Sequence, residues 1–362
     1  MRASVRLVVV ASSLWLAGVL PALAAAGEPG FLVQEVAPGV YAAVRQEPPG
    51  FWFDCNSVFV VNDREVVVVD TNVSPTSARA TIAALRKITD KPVSHVVNTH
   101  WHDDHIAGNQ VYRDAFPGVR FVGHVRTRGE LETTGVANRK SALEAGPGFA
   151  QYLRKLVADG KSLAGGAITD EERAAYASDA SIVERYFADA SALEVVFPDV
   201  AVDGTLTLER GGRTIEVRHL GRGHTASDLV VWLPKERVAI VGDLVSWPVP
   251  LVGTTSHPAD FAGTLEALLA LQASVFVPGH GPVMKDDAYV RLVARLLASI
   301  RDQTAAAVAR GETLEQARKS VDLSEFRRAI AGDSQLRQLG FDNYVADPAV
   351  AVAYREAREK KG

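Results

Sequence analysis

His100-Trp101-His102-Asp103-Asp104-His105 follows almost directly on the apolar run Val93–Val97. A strand that ends in a tight loop brings three imidazoles and a carboxylate into one small volume. Imidazole nitrogen and carboxylate oxygen are the donors that borderline divalent ions such as zinc prefer. Reading the stretch as a polar strand-to-helix loop with one capping Asp leaves four ligand-type residues, His100, His102, Asp104 and His105, unexplained.

Around this cluster the composition is that of a folded protein: 362 residues, 47% hydrophobic and 23% charged. The formal net charge is −4, so there is no electrostatic footprint for nucleic acid. Arg2 and Arg6, the apolar Leu7–Leu20 and the small residues Ala22–Ala26 form the three parts of an export signal. The apolar core is shorter than the roughly 20 residues of a spanning helix. Residues 1–26 are therefore expected to be cleaved, leaving a periplasmic or secreted protein without a stable membrane anchor. Cys55 is the only cysteine, which rules out an intramolecular disulfide and a thiolate-only metal site.

Along the rest of the chain, Phe31–Val44 and Asn56–Thr71 read as short strands, and the β-branched Val66–Val69 reads as one buried on both faces. Pro75–Lys87 has helical periodicity, Val93–Val97 is a strand, and Val119–Gly123 is another. This is an α/β layered pattern. Residues 127–194 are rich in Ala, Glu, Lys and Arg and are interrupted by Gly146-Pro147-Gly148 and Gly165-Gly166. They read as a helical insertion. Strands resume at Thr205–Leu208, Thr214–Leu220, Leu229–Leu233, Val238–Val241 and Val275–Val277, with a helix over Ala259–Leu271. From Ala288 the pattern is helical. The expected organisation is a main domain over 27–290 carrying the 127–194 insertion, then a helical extension over 291–362.

Three more ligand-type residues each stand beside glycine at a strand end: His224 in Gly-Arg-Gly-His-Thr, Asp243 in Val-Gly-Asp-Leu and His280 in Pro-Gly-His-Gly. Glycine there lets the backbone turn sharply and pass close to an ion. Of nine histidines, five fall in these motifs and the hexapeptide; His95, His124, His219 and His257 lack metal-type spacing. His257 stands out among those four, because the loop after Asp243 is placed to overhang the site.

Together the motifs over residues 31–285 resemble the metallo-β-lactamase superfamily, whose His-x-His-x-Asp-His signature is highly specific. The resemblance implies a four-layer αββα sandwich of two mixed sheets flanked by helices. It implies that His100, His102 and His224 bind a first metal, that Asp104, His105 and His280 bind a second, and that Asp243 bridges them. Asp70 matches an aspartate that orders the loops beneath the metals. The stretch Gly223–Pro234 is similar to one subclass of true β-lactamases, which carries cysteine in place of Asp243 and lacks a histidine at the place of His105. Aspartate and histidine there are the pattern of glyoxalase II-like thioesterases and lactonases.

The expected cofactor is two zinc ions, with iron or manganese as alternatives the same donors accept. Two such ions can share a water and lower its pKa toward ~7, so that a bridging hydroxide attacks the carbonyl of a small ester, lactone, thioester or β-lactam. Asp104 is assigned the further role of orienting that nucleophile and moving its proton. Phe51-Trp52-Phe53, after Pro48-Pro49-Gly50, is either an aromatic flap over the substrate or a buried hairpin corner. Trp101 and Trp247 are candidates for the mouth. A non-hydrolytic accessory role, or a di-iron redox centre, stands as the second reading. Against di-iron, the residues after 290 read as helices and not as a flavodoxin-like electron carrier.

Overall fold

The four valines of β4 (Val66–Val69) divide between two cores: Val67 and Val69 face one, Val66 and Val68 the other. Alternation of this kind is what a strand buried on both faces imposes. In the computed structural model, which describes residues 30–46, 48 and 50–360, β4 is the middle strand of seven. Its sheet runs in chain order: β1 (Phe31–Ala37), β2 (Val40–Arg45), β3 (Ser57–Val61), β4, β5 (Val93–Val97), β6 (Arg120–His124) and β7 (Val200–Val202). The first four strands are antiparallel neighbours and the last four parallel ones. Between them lie α1 (Pro75–Arg86), α2 (Asp103–Ile106) and α3 (Asn109–Ala115).

The second sheet has the order β12-β11-β10-β9-β8. Strands β8 (Thr205–Arg210), β9 (Arg213–Arg218), β10 (Val230–Leu233) and β11 (Val238–Ser246) pair antiparallel, and β12 (Val275–His280) runs parallel to β11. Val40, Val58, Val67 and Val97 from one sheet pack against Ile215, Val217, Val231 and Ile240 from the other. Outside the first sheet, Phe59, Val66 and Phe121 pack with Ala78 and Leu85 of α1 and Tyr112 of α3.

Between β6 and β7 come α4 (Thr127–Glu130), α5 (Val136–Asp159) and α6 (Asp170–Asp189); α7 (Pro258–Ala270), between β11 and β12, and α8 (Ala288–Ala309) cover the second sheet. The chain closes with α9 (Leu314–Ser320), α10 (Ser324–Ala331), α11 (Gln335–Phe341) and α12 (Asp347–Glu359). Helix, sheet, sheet and helix thus form four layers, the αββα sandwich that the sequence implied. Among the described residues no helix is long and apolar enough to cross a membrane. The expected export signal lies outside the described residues.

The insertion differs from its sequence pattern in one respect. Gly146-Pro147-Gly148 does not break it: α5 runs through all three. Pro147 lies on the exposed side, so the hydrogen bond it forfeits is lost to water and not to an apolar core. Gly146 is buried, and a Cβ there would lie 2.3 Å from the Phe187 ring of α6, so the glycine lets the two helices close up. Helix α6 begins with a capping box, Thr169 and Glu172 exchanging side-chain and backbone bonds. Ala150, Leu153 and Leu156 then bury against Tyr176, Ala180 and Val183, and Leu336 of α11 joins the same cluster. The insertion and the C-terminal helices therefore meet.

Leu153 is fully buried in that contact. Leu153→Ala is expected to cost about 2–5 kcal/mol, checked as a lowered midpoint in urea denaturation.

Candidate metal centre

Every ligand-type side chain arrives at the same end of the two sheets. The loop after β5 carries His100 and His102, the short α2 that follows carries Asp104 and His105, and the loop after β9 carries His224. Strands β11 and β12 extend further than their apolar runs suggested, so Asp243 lies within β11 and His280 closes β12. Register irregularities after Ile240 and Gly242 accompany that extension and re-aim Asp243. A Cβ on Gly279 would sit 2.0 Å from Asp243 Oδ1 and 3.1 Å from His105 Cε1. Glycine at 279 is what allows the β12 backbone to pass behind the carboxylate.

Two groups of donor atoms result. In the first, His102 Nδ1 lies 3.0 Å from His100 Nε2 and 2.9 Å from His224 Nε2. In the second, His280 Nε2 lies 3.1 Å from Asp104 Oδ2 and 3.3 Å from Asp243 Oδ1, and His105 Nε2 lies 3.3 and 3.4 Å from the same two oxygens. Asp243 reaches both groups, its Oδ2 being 3.6 Å from His224 Nε2. All seven residues singled out in the sequence are thus brought together.

The outer nitrogens are held by the protein. His224 Nδ1 donates to Leu251 O at 2.7 Å, His280 Nδ1 to Asp54 O at 3.2 Å, and His105 Nδ1 to Asp70 Oδ2 at 2.8 Å. Each such bond keeps a proton on Nδ1 and turns Nε2 inward. Asp70 is itself fixed by the Thr99 backbone N–H at 2.8 Å and the Thr99 hydroxyl at 2.7 Å. Its φ of 59° is a left-handed conformation that Asp tolerates better than most residues.

The inward atoms are short of partners. His105 Nε2, His280 Nε2 and Asp243 Oδ1 are buried with no hydrogen bond. Burial, reinforced by neighbouring imidazoles, drives His100 well below the ordinary imidazole range and His102 to about 3, and burial also lowers His224. All three are neutral, as ligands must be. In the second group burial opposes charge, but the opposing charges win. Asp104 and Asp243 are held well below the usual carboxylate range, His105 is held well above the imidazole range, and His280 is raised to about 10 by Asp243 and Asp104. Two carboxylates that hold protons on two imidazoles want positive charge between them. A divalent cation satisfies that demand and the orphaned atoms together, so the donor set fits two metal ions.

Two supports around the centre had no signature in the sequence. Asp103 belongs to neither donor group and is gripped by the Arg139 guanidinium of α5, with Nε at 2.8 Å, and by the Tyr186 hydroxyl of α6 at 2.9 Å. The metal loop is thereby tied to the insertion. On the other side, buried Asp179 of α6 accepts from the Phe51 backbone N–H at 2.7 Å, and a Cβ on Gly50 would lie 2.3 Å from that carboxylate. Burial pushes Asp179 up to about 7, against the pull of the Phe51 and Trp52 N–H groups.

So anchored, Phe51-Trp52-Phe53 lines a cavity of about 320 Å³ with Trp101, His102, Asp104, Arg139 and Tyr344. The Phe53 ring is 5.2 Å from the His280 ring, while Phe51 packs on Tyr176 and Tyr344, and Trp52 on Tyr186. The stretch is both flap and packed corner. Trp101 is likewise both: buried with Ile106 and Leu131, with its ring edge-on to His102 at 4.3 Å. Trp247 lines cavities that reach His280. The loop after Asp243 does overhang the centre, but through Leu251 and Thr255, whose hydroxyl is 3.4 Å from His102 Nε2. His257 instead faces Glu356 at 3.4 Å.

Residues 50–280 match the model of the metallo-beta-lactamase superfamily. A linear primary-alkylsulfatase from Pseudomonas sp. is 28% identical over 268 residues, which is 71% of this chain and 48% of the alkylsulfatase. The crystal structure of the inverting sec-alkylsulfatase Pisa1 from Pseudomonas sp. superposes with a TM-score of 0.62 at 16% identity, covering 90% of this chain and 50% of that one. The DIM-1 metallo-beta-lactamase superposes with a TM-score of 0.50 at 18% identity, covering 75% of this chain and 98% of that one. This chain spans about half the length of the alkylsulfatases it matches. The β-lactamase fold accounts for less of it than the alkylsulfatase fold does.

Asp70→Asn is expected to weaken metal retention about 10- to 100-fold, measured by competition with a chromogenic chelator. Arg139→Ala, which removes no candidate ligand and no partner of one, is expected to weaken it less.

Proposed function

Because the chain belongs to the metallo-β-lactamase superfamily, we propose that it is a dinuclear zinc hydrolase attacking the carbonyl of a small ester, lactone, thioester or β-lactam. The observation that carries this is the pair of inward-facing donor sets, one of three imidazoles and one of two imidazoles and two carboxylates, joined at Asp243. His100, His102 and His224 would hold one ion, Asp104, His105 and His280 the other, with Asp243 between. Nitrogen and oxygen donors suit zinc first, with iron or manganese as the metals the same set accepts. Ions in such a pair supply Lewis acidity and water activation at neutral pH.

The remaining work falls to the chain's own groups. Asp104 is the ligand-set carboxylate that borders the cavity, which places it to orient a nucleophile and to take or return a proton. Asp243, buried and reaching both donor sets, keeps them at a fixed separation. Trp101, Phe53 and Tyr344 exclude water from the approach side. Three arginines border the cavities around the centre, and each is paired: Arg45 with Asp54, Arg139 with Asp103 and Arg337 with Glu171. A substrate with a neutral reacting group, a carboxylic ester, lactone, thioester or β-lactam, therefore fits better than one recognised by a free arginine. A sulfate ester, the bond named for the alkylsulfatase relative, would have to rely on the metals for charge. We further read residues 1–26 as an export signal, placing the mature hydrolase in the periplasm or outside the cell.

Purified protein is expected to carry close to two zinc ions per chain. It should turn over at least one of nitrocefin, a lactone, a thioester, a carboxylic ester or an alkyl sulfate, losing that turnover on chelation and regaining it with zinc. Two irons, or bound zinc with no turnover across the panel, would overturn the proposal in favour of a redox or accessory role.

A further inference from the structure

Beside the metal cavity lies a second, larger one. It is a groove of about 730 Å³ between α5 and the α11 end of the C-terminal helices, walled by Ala142, Phe149, Leu163, Leu339, Phe51 and Trp52. Among the described residues no Asp, Glu, Lys, Arg or His lines it; the polar side chains in its lining are Asn343, Tyr152, Tyr344 and Trp52. The two cavities adjoin: Phe51, Trp52, Ala142 and Tyr344 line both, and His102 and Asp104 line the smaller one. Their shared wall is rigid, since the Tyr344 hydroxyl donates to Phe51 O at 2.9 Å while Asp179 holds the Phe51 N–H.

We propose that this groove binds the linear hydrocarbon chain of the substrate, so that the enzyme acts on an alkyl or acyl ester whose head group lies at the metals and whose tail runs along α5. This deepens the hydrolase reading and rests on it. Three observations carry it. An apolar cavity that adjoins the cavity of the reacting groups is the ordinary form of a substrate-binding site. With no charged side chain in its lining, it is not built to recognise a second charged group. Its walls come from two separate parts of the chain, the insertion and the C-terminal helices, which are fixed to each other where Leu336 packs with Leu153 and Tyr176. Tyr152 at its outer end is 49% exposed, so the far end of the tail lies against solvent and long chains are admitted.

The test separates tail binding from turnover. Straight-chain carboxylates from butanoate to dodecanoate, kept below micelle-forming concentrations, are titrated into the full chain after metal removal and again after zinc loading. Binding is followed by calorimetry and by the fluorescence of Trp52 against a Trp52→Phe control. Each added methylene is expected to tighten binding about two- to fourfold, and a compact cyclic carboxylate of equal carbon number is expected to bind at least tenfold more weakly. Ala142→Trp, at the junction of the cavities, and Leu339→Gln, on the opposite wall, should each flatten the chain-length dependence, with thermal melts confirming that both fold.

A flat dependence in the unmodified protein, or an unchanged slope in both folded variants, would overturn the proposal. So would a concentration-dependent dimer that Tyr152→Arg dissociates, since the groove would then be an interface between copies. A steep dependence without turnover of any ester would leave the tail site standing and remove the hydrolase reading instead.

Discussion

Asp243 and its neighbours place two carboxylates and five imidazoles in a pocket almost closed to water, with lone pairs pointing at one another. No arrangement of protons alone satisfies such a set. The three-histidine group has lone pairs to spare once burial makes it neutral, and the mixed group resorts to holding protons on His105 and His280 against the cost of burying them. The rest of the architecture can be understood as what it takes to keep these groups facing inward. Left to relax, each imidazole would rotate away and find a backbone carbonyl, and the cation-binding geometry would be lost.

Relaxation is prevented by occupying the outer atoms first. Asp70, Asp54 O and Leu251 O each capture one Nδ1–H, and Thr99 captures Asp70 in turn. These partners come from the residue that follows β4, from the loop before β3 and from the loop after β11, so both sheets take part in orienting the histidines. The left-handed backbone at Asp70 is then part of the same constraint. It turns the chain at the end of a strand buried on both faces, so that the side chain comes back under His105. Bending a fully paired central strand costs stability, and the dense packing of Val66–Val69 on both sides offsets it.

The ligands were legible in the sequence because each sits in a local pattern: four in one hexapeptide, three beside glycine after an apolar run. The sandwich was legible because doubly buried strands such as Val66–Val69 have no polar alternation. What the sequence withheld was pairing over distance. Asp103 meets Arg139 across 36 positions and Tyr186 across 83, and Asp179 meets Phe51 across 128. An acidic residue inside a helical insertion looks like a solvated face until its partner is known. Strand β7, three residues long, is too short to show a period, and Gly146-Pro147-Gly148 reads as a break because composition alone does not reveal that Pro147 faces water while Gly146 admits Phe187.

Those long-distance pairs divide labour within the molecule. The metal ligands belong to the two sheets, whereas Arg139, Tyr186 and Asp179 belong to the insertion and Tyr344 to the C-terminal helices. The insertion reaches the surroundings of the centre through Asp103, which binds no metal in this reading, through Phe51 and Trp52, through Leu131 packed with Trp101, and through Glu130 at the Ala226 N–H. Changing the helices can therefore reshape the aromatic wall without disturbing a single candidate ligand. Binding energy gathered along a tail far from the reacting atoms is useful only if the wall that collects it is fixed relative to the metals. The Asp103 clamp and the Asp179 anchor supply that fixity from opposite sides of the cavity, both from the same pair of helices. An insertion that merely decorated the surface would need neither. One that held the far end of a substrate in register with the metal centre would need both.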